Sequence, residues 1–203
     1  MNNLSDRLAK LSPEQRKMLL AKIQQNKTNT ATIQPEIQDT PTSALSSAQE
    51  QMMILYQMAP DSSAYNISAV LKLEGNLNIT ALKQSFLDII NRHQSLRTYF
   101  QQTKDQIIQT ITPYSVLEMP VRAIPGKNLE EKQNKALKIA EADAKKSFDL
   151  FKGPLLKTKL LELSNQKHIL LVNMHHIISD GWSMGVLIKE LGEFYTQNTT
   201  GTK

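Results

Sequence analysis

The sequence contains no cysteine in 203 residues, which removes disulfides, thiolate zinc sites and a cysteine nucleophile together. It is compatible with a cytoplasmic setting, which is the expected location. No apolar run approaches the roughly 20 residues needed to cross a bilayer. The start, MNNLSDRLAKLSPEQRKMLL, mixes acids among its leucines and lacks the apolar stretch of a signal peptide. A membrane partner is therefore not expected. Aromatic residues are sparse and the lysines are spread along the chain, so the formal charge of +5 does not read as a nucleic-acid surface. It reads as a solvated basic face, and the specific partner it favours is an acidic protein. There is no G-x-S-x-G elbow for a serine nucleophile and no internal repeat. With 40% hydrophobic residues, the chain has enough apolar material for one sizeable core.

Three regions follow from patterning. Residues 1–25 have helical spacing, with Leu4, Leu8 and Leu11 on one stripe and Met18, Leu19 and Ile23 continuing it. Ser12 before Pro13 marks a helix start between the two halves. They form a helical appendage, a candidate docking or linker element. Residues 26–42 are Thr-rich and polar with two prolines, and read as a linker. The body, 43–203, mixes helices and strands. The spacing predicts a helix over 46–58 and a strand over 66–75 with Ile67, Ala69, Leu71 and Leu73 on one face. A helix capped by Asn78 follows, with Leu82, Phe86, Ile89 and Ile90 on one side. Strands follow at 96–102 and 106–113, and a short one at 121–125.

The stretch 129–148 predicts a helix burying Leu137, Ala140, Ala144 and Phe148, with acids in its first turn and lysines in its last. The segments 155–163 and 168–176 form a strand pair around SNQK. The second is nearly continuously apolar, as a strand covered on both faces should be. A last helix packs Met184, Leu187, Leu191 and Phe194. Without a regular βαβ repeat, the order points to an α+β layered sandwich.

The chain has four histidines, and two of them, His175 and His176, stand side by side at the end of the apolar strand. Neighbours on a strand face opposite ways, so one packs into the layer between sheet and helices and the other faces a cleft. Opposed imidazoles cannot share one metal ion with Asp180, so a metal site is disfavoured. The structural alternative is a pair of satisfied buried histidines. The chemical one is that His176, delivered to the strand end, accepts a proton near neutrality, where histidine ordinarily titrates at about 6.5. The loop then turns through Asp180 and Gly181, where glycine permits close approach of a substrate or an unusual dihedral.

The stretch HHIISDG resembles the H-H-x-x-x-D-G motif of nonribosomal peptide synthetase condensation domains. NRHQSLRTYF (91–100) is similar to the family's R-H-x-x-L-R-T-x-F motif at each defined position. LSSAQEQMMIL (45–55) resembles S-x-A-Q-x-R-M-W-x-L, departing at Gln51 and Met53. SAYNIS (63–68) and the tryptophan after Asp180-Gly181 also fit. The motifs fall in family order and cover about residues 43–203.

The resemblance implies a chloramphenicol-acetyltransferase-like sandwich. This chain would be the N-terminal lobe of a two-lobed condensation domain, with the C-terminal lobe absent. It implies amide formation between an acyl or peptidyl thioester on an upstream peptidyl carrier protein and the amine of an aminoacyl thioester on a downstream one. Both substrates ride on phosphopantetheine arms that the carriers bring, and the chain itself holds no cofactor. Neighbouring synthetase domains are further partners, and the lobe alone would be inactive.

His176 would be catalytic, and the Gly181 N–H a donor to the oxyanion. His175 would support the site. Asp180 would hold the loop through an ion pair with Arg92 or Arg97, the alternative for both arginines being a solvated helix-end charge. His93 reads as a packing or hydrogen-bonding residue, Trp182 as core and His168 as surface. An epimerization domain of the same superfamily, or a non-catalytic carrier-docking fragment, are the rival readings.

Overall fold

Polar turns cut the chain into short strands and longer helices in the order β1 (Thr42–Ala44), α1 (Ser47–Met58), β2 (Asn66–Glu74), α2 (Ile79–Arg92), β3 (Thr98–Gln102), β4 (Ile107–Ile111), β5 (Val121–Ala123), α3 (Leu129–Ala144), β6 (Leu156–Ser164), β7 (Lys167–His175) and α4 (Gly181–Thr200). A 3₁₀ turn, Gln94–Arg97, joins α2 to β3. The computed structural model describes residues 42–113 and 117–201, which lie in a unit spanning Thr40–Lys203. The expected N-terminal helices, and the linker up to residue 41, lie outside the described residues. The linker's last residue, Thr42, belongs to β1 and pairs with Thr110.

Two sheets form. The larger has the order β2-β7-β6-β5 and the smaller β1-β4-β3. In the larger sheet β7 runs antiparallel to both neighbours, with His175 opposite Asn66 and Met174 opposite Leu156. The edge strand β5 pairs parallel to β6. Period-2 alternation splits β7 between two cores. Leu170, Val172 and Met174 join Leu82, Phe86, Ile89, Leu187 and Leu191 in the layer beneath α2 and α4. Ile169 and Leu171 face the other way, onto Ala136 and Ala140 of α3. Coverage on both faces explains why β7 is apolar almost throughout.

Local capping fixes where the helices begin. The Ser46 hydroxyl accepts from the Gln49 N–H while the Gln49 side chain accepts from the Ser46 N–H, a reciprocal capping box. Asn78 and Asn128 cap α2 and α3 through the N–H groups of Ala81 and Glu131. Among the described residues no helix is long and apolar enough to cross a membrane.

Three expectations need correction. Helix α3 ends at Ala144, so Phe148 and the lysines expected in its last turn lie beyond it. Its buried stripe is Ala136 and Ala140, while Leu137 is 46% exposed. Alanines face the sheet because they let the helix axis approach closely. His168 is also not a surface residue. It is 6% exposed, on the same β7 face as Leu170 and Val172, and its Nδ1 has no hydrogen-bond partner.

Candidate active site

Strand β7 stops at His175 because the chain turns there. Ile178 N–H donates to the His175 carbonyl and Ser179 N–H to that of His176, making a tight turn that delivers the chain into α4. The His175 ring stays inside the protein at 4% exposure, with the Phe148 ring edge-on at 6.1 Å. Its Nδ1 accepts the Ile177 N–H at 3.1 Å, so the ring proton of the neutral form sits on Nε2. Burial, and then the neighbouring His176, push its pKa down to about 4. The imidazole is neutral near pH 7 and braces the turn from within.

His176 has the opposite environment. Its N–H donates to the Tyr65 carbonyl at 2.8 Å, anchoring the turn to the segment before β2. The side chain is half-buried and borders an open cavity of about 550 Å³ with Ser46, Gln49, Gln109, Asp180 and Ser183. Gln49 donates to Gln109 and Gln109 to Ser43, fixing the opposite wall. The N-terminal ends of α1 and α4 both border this cavity. Free N–H groups and helix dipoles favour negative charge there. Gly181 is the first residue of α4. Its φ is not positive, so no special dihedral requires glycine, and a Cβ built there meets nothing within 4 Å. The glycine leaves the helix end open to an approaching group.

Asp180 is held differently from the sequence expectation. It caps α4, its Oδ1 accepting from the Ser183 N–H at 2.8 Å and from the Ser183 hydroxyl at 2.6 Å. These hydrogen bonds lower its pKa below the usual carboxylate range. Among the described residues it forms no ion pair. Arg92 instead pairs with Glu190 of α4 at 3.3 Å. Arg97 donates to the carbonyls of Ile90 and Thr112, tying off the end of α2. His93 meets Glu190 at 2.6 Å, in keeping with its expected hydrogen-bonding role. The second motif therefore ties α2 to α4 and supports the site from behind.

Trp182 is 83% exposed rather than core, because the buried face of α4 is set by Met184, Leu187 and Leu191. The second helical residue falls on the other side. Sequence reasoning missed Ser183, Gln109 and Glu190. Only Ser183 carried a local signal, three residues beyond a capping aspartate.

The Condensation domain family matches residues 40–203. One of the linear gramicidin synthase proteins of Brevibacillus parabrevis is 39% identical over 157 residues, covering 77% of this chain and 2% of that protein. One of the plipastatin synthase proteins of Bacillus subtilis (strain 168) is 39% identical over 155 residues, covering 74% of this chain and 6% of that one. The solved starter condensation domain of a rhizomide synthetase superposes with a TM-score of 0.73 at 28% identity, covering 80% of this chain and 39% of its own. The first condensation domain of the CDA synthetase shares the fold, with a TM-score of 0.71 at 20% identity over 80% of this chain and 42% of that one. The chain thus spans a small part of its synthetase relatives and about two-fifths of the solved domains, the extent of a single lobe. It belongs to the condensation-domain family and has the layered, chloramphenicol-acetyltransferase-like fold of one lobe of such a domain.

Proposed function

We propose that this lobe is the N-terminal, histidine-bearing half of a nonribosomal peptide synthetase domain that forms an amide bond. The donor is an acyl or peptidyl thioester on an upstream carrier protein, and the acceptor is the amine of an aminoacyl thioester on a downstream one. The observation that carries the reading is the contrast between the two histidines. His175 is locked neutral inside the turn, while His176 borders an open cavity flanked by two helix N-termini.

His176 orients the acceptor amine and takes its proton as the nitrogen attacks the thioester carbonyl. The new C–N bond forms, negative charge develops on the carbonyl oxygen, and the Gly181 N–H at the start of α4 stabilises it. The C–S bond then breaks, and the proton passes to the departing thiolate of the upstream arm. A carbonyl and an amine held together by their tethers gain from effective molarity as well as from proton transfer.

The 550 Å³ cavity is open, and the reading has a second lobe closing it. Water exclusion would strengthen the helix-end electrostatics, and the lobe alone is expected to be inactive. A solved neighbour, a variant starter condensation domain at 26% identity, is in complex with C8-CoA and Leu-SNAC, which supports this substrate logic. The phosphopantetheine arms arrive on the carriers, in a cytoplasmic synthetase, and this chain supplies the cavity walls, the histidine and the Gly181 N–H. The test is to incubate a complete condensation domain containing this lobe with both loaded carriers and to determine the product by mass and by chirality. An amide-linked product on the downstream carrier supports the reading. Inversion at the donor Cα without amide formation would show an epimerase, and carrier binding without either would show a docking module.

A further inference from the structure

A second cavity, of about 360 Å³, lies on the α3 side of the larger sheet and shares no lining residue with the His176 cavity. Its floor includes Asn173 of β7. The sheet register puts Lys157 of β6 directly across from Asn173, and directly paired residues share a face. Asn173 is 9% exposed as a residue, and its side-chain amide makes no hydrogen bond within the described residues and stays open to the cavity. An amide that faces a cavity with its donor and acceptor uncommitted can hydrogen-bond an incoming ligand. The position on the α3 face turns its amide into this cavity, where a ligand would satisfy both its donor and its acceptor.

The charges around it are arranged. Lys157 has no carboxylate partner among the described residues, and its ammonium lies 4.5 Å from the centre of the Phe148 ring, so the stem is held while the charge stays available. Lys146 and Lys159 also line the cavity and are both paired with Asp143. The turn bearing Lys146 is fixed by Asn66, whose amide donates to the Ala144 and Lys146 carbonyls at 2.8 Å each. With Glu118 at the border the cavity carries three ammonium groups against two carboxylates, a net positive balance with one lysine unspoken for. Phe148, Leu171 and Pro154 supply an apolar wall.

We propose that this cavity binds a small phosphomonoester. Lys157 takes the phosphoryl oxygens, the paired lysines add field from the rim, and the Asn173 amide hydrogen-bonds the phosphoryl or its bridging oxygen. The body of the molecule lies against Phe148 and Leu171. A volume near the lower end of small-ligand pockets suits a compact molecule, and lysine ammonium groups serve phosphate as point charges.

The test uses the 203-residue chain and needs no condensation assay, so it stands or falls apart from the proposed activity. Binding of phenyl phosphate, inorganic phosphate and acetate is measured by calorimetry. Saturable 1:1 binding of phenyl phosphate, tighter than phosphate and far tighter than acetate, is expected. Lys157→Ala should weaken it by about tenfold or more, the usual cost of losing a charge-assisted hydrogen bond. Lys189→Ala, on the exposed side of α4, should leave it unchanged. Asn173→Asp, which keeps the shape but adds a negative charge, should abolish it, with circular dichroism checking the fold. Absence of saturable phenyl phosphate binding, acetate binding equal to it, or indifference to Lys157→Ala would each overturn the proposal.

Discussion

At the tip of β7 two adjacent imidazoles are held in opposite surroundings, His175 buried and His176 half-buried, by the direction each side chain takes. His175 points among Phe148, Tyr65 and the turn backbone. Its pKa falls from the ordinary 6.5 to about 4, so the unfolded chain binds its proton more readily than the folded one. Stability from this residue is complete above pH 6.5 and drains away as the pH falls toward about 4, by about 3 kcal/mol in all. Urea unfolding across that window should show the loss. His175→Asn, which can offer an oxygen to the Ile177 N–H but cannot titrate, should flatten it, and an identical acid slope in the variant would show that another group is responsible. Asp180 makes a second residue-scale prediction. Because it caps α4 rather than holding an arginine, Asp180→Asn should keep the melting temperature near wild type. Asp180→Ala should lower it by roughly 2–4 °C. Equal losses in both variants would restore the ion-pair reading. The strand alternation was enough to expect one buried histidine and one at a cleft, and His175 is the buried one. The partner of Asp180 was harder to read, since Ser183 satisfies the carboxylate three residues away and leaves no need for a distant arginine.

Elements were legible where one face of the pattern dominates. Helix α2 carries Leu82, Phe86, Ile89 and Ile90 on a single stripe, all buried, after a capping Asn78. Strand β7 declared its double coverage through its composition. Helix α3 was ambiguous because its periodicity fits two faces one residue apart, Ala136–Ala140 or Leu137–Ala140–Ala144. Hydrophobicity favours the leucine, but close approach of the helix to Leu161, Ile169 and Leu171 favours the alanines. The two faces make different predictions. Leu137→Lys should change stability by no more than about 0.5 kcal/mol, as for a surface site. Ala136→Leu should cost about 1–3 kcal/mol by overpacking. Chemical denaturation of both variants decides the matter, and the reverse order of effects would mean that α3 is rotated by one residue in solution.

At the scale of the whole molecule the least legible features are the ones that join distant segments. The pairing of β1 with β4 and the parallel pairing of β5 with β6 leave no local mark, because each depends on which edges the rest of the fold leaves free. Trp182 is similar: an apolar residue in a motif reads as core, yet here it stands exposed beside the cleft between α2 and α4. The three-layer arrangement has one functional consequence. It uses β7 as a rigid post, packed on both faces, with α4 starting a short turn past His176, so the histidine and the helix end are fixed relative to each other before any substrate arrives. The central claim is that this preset histidine performs the condensation. The most direct measurement is single-turnover amide formation by a complete condensation domain containing this lobe, comparing wild type with His176→Ala, with circular dichroism confirming an unchanged fold. The expected rate for the variant is lower by about 10²–10⁴-fold, the usual share of a positioned acid–base group. A correctly folded variant that forms the amide as fast as wild type would contradict the claim.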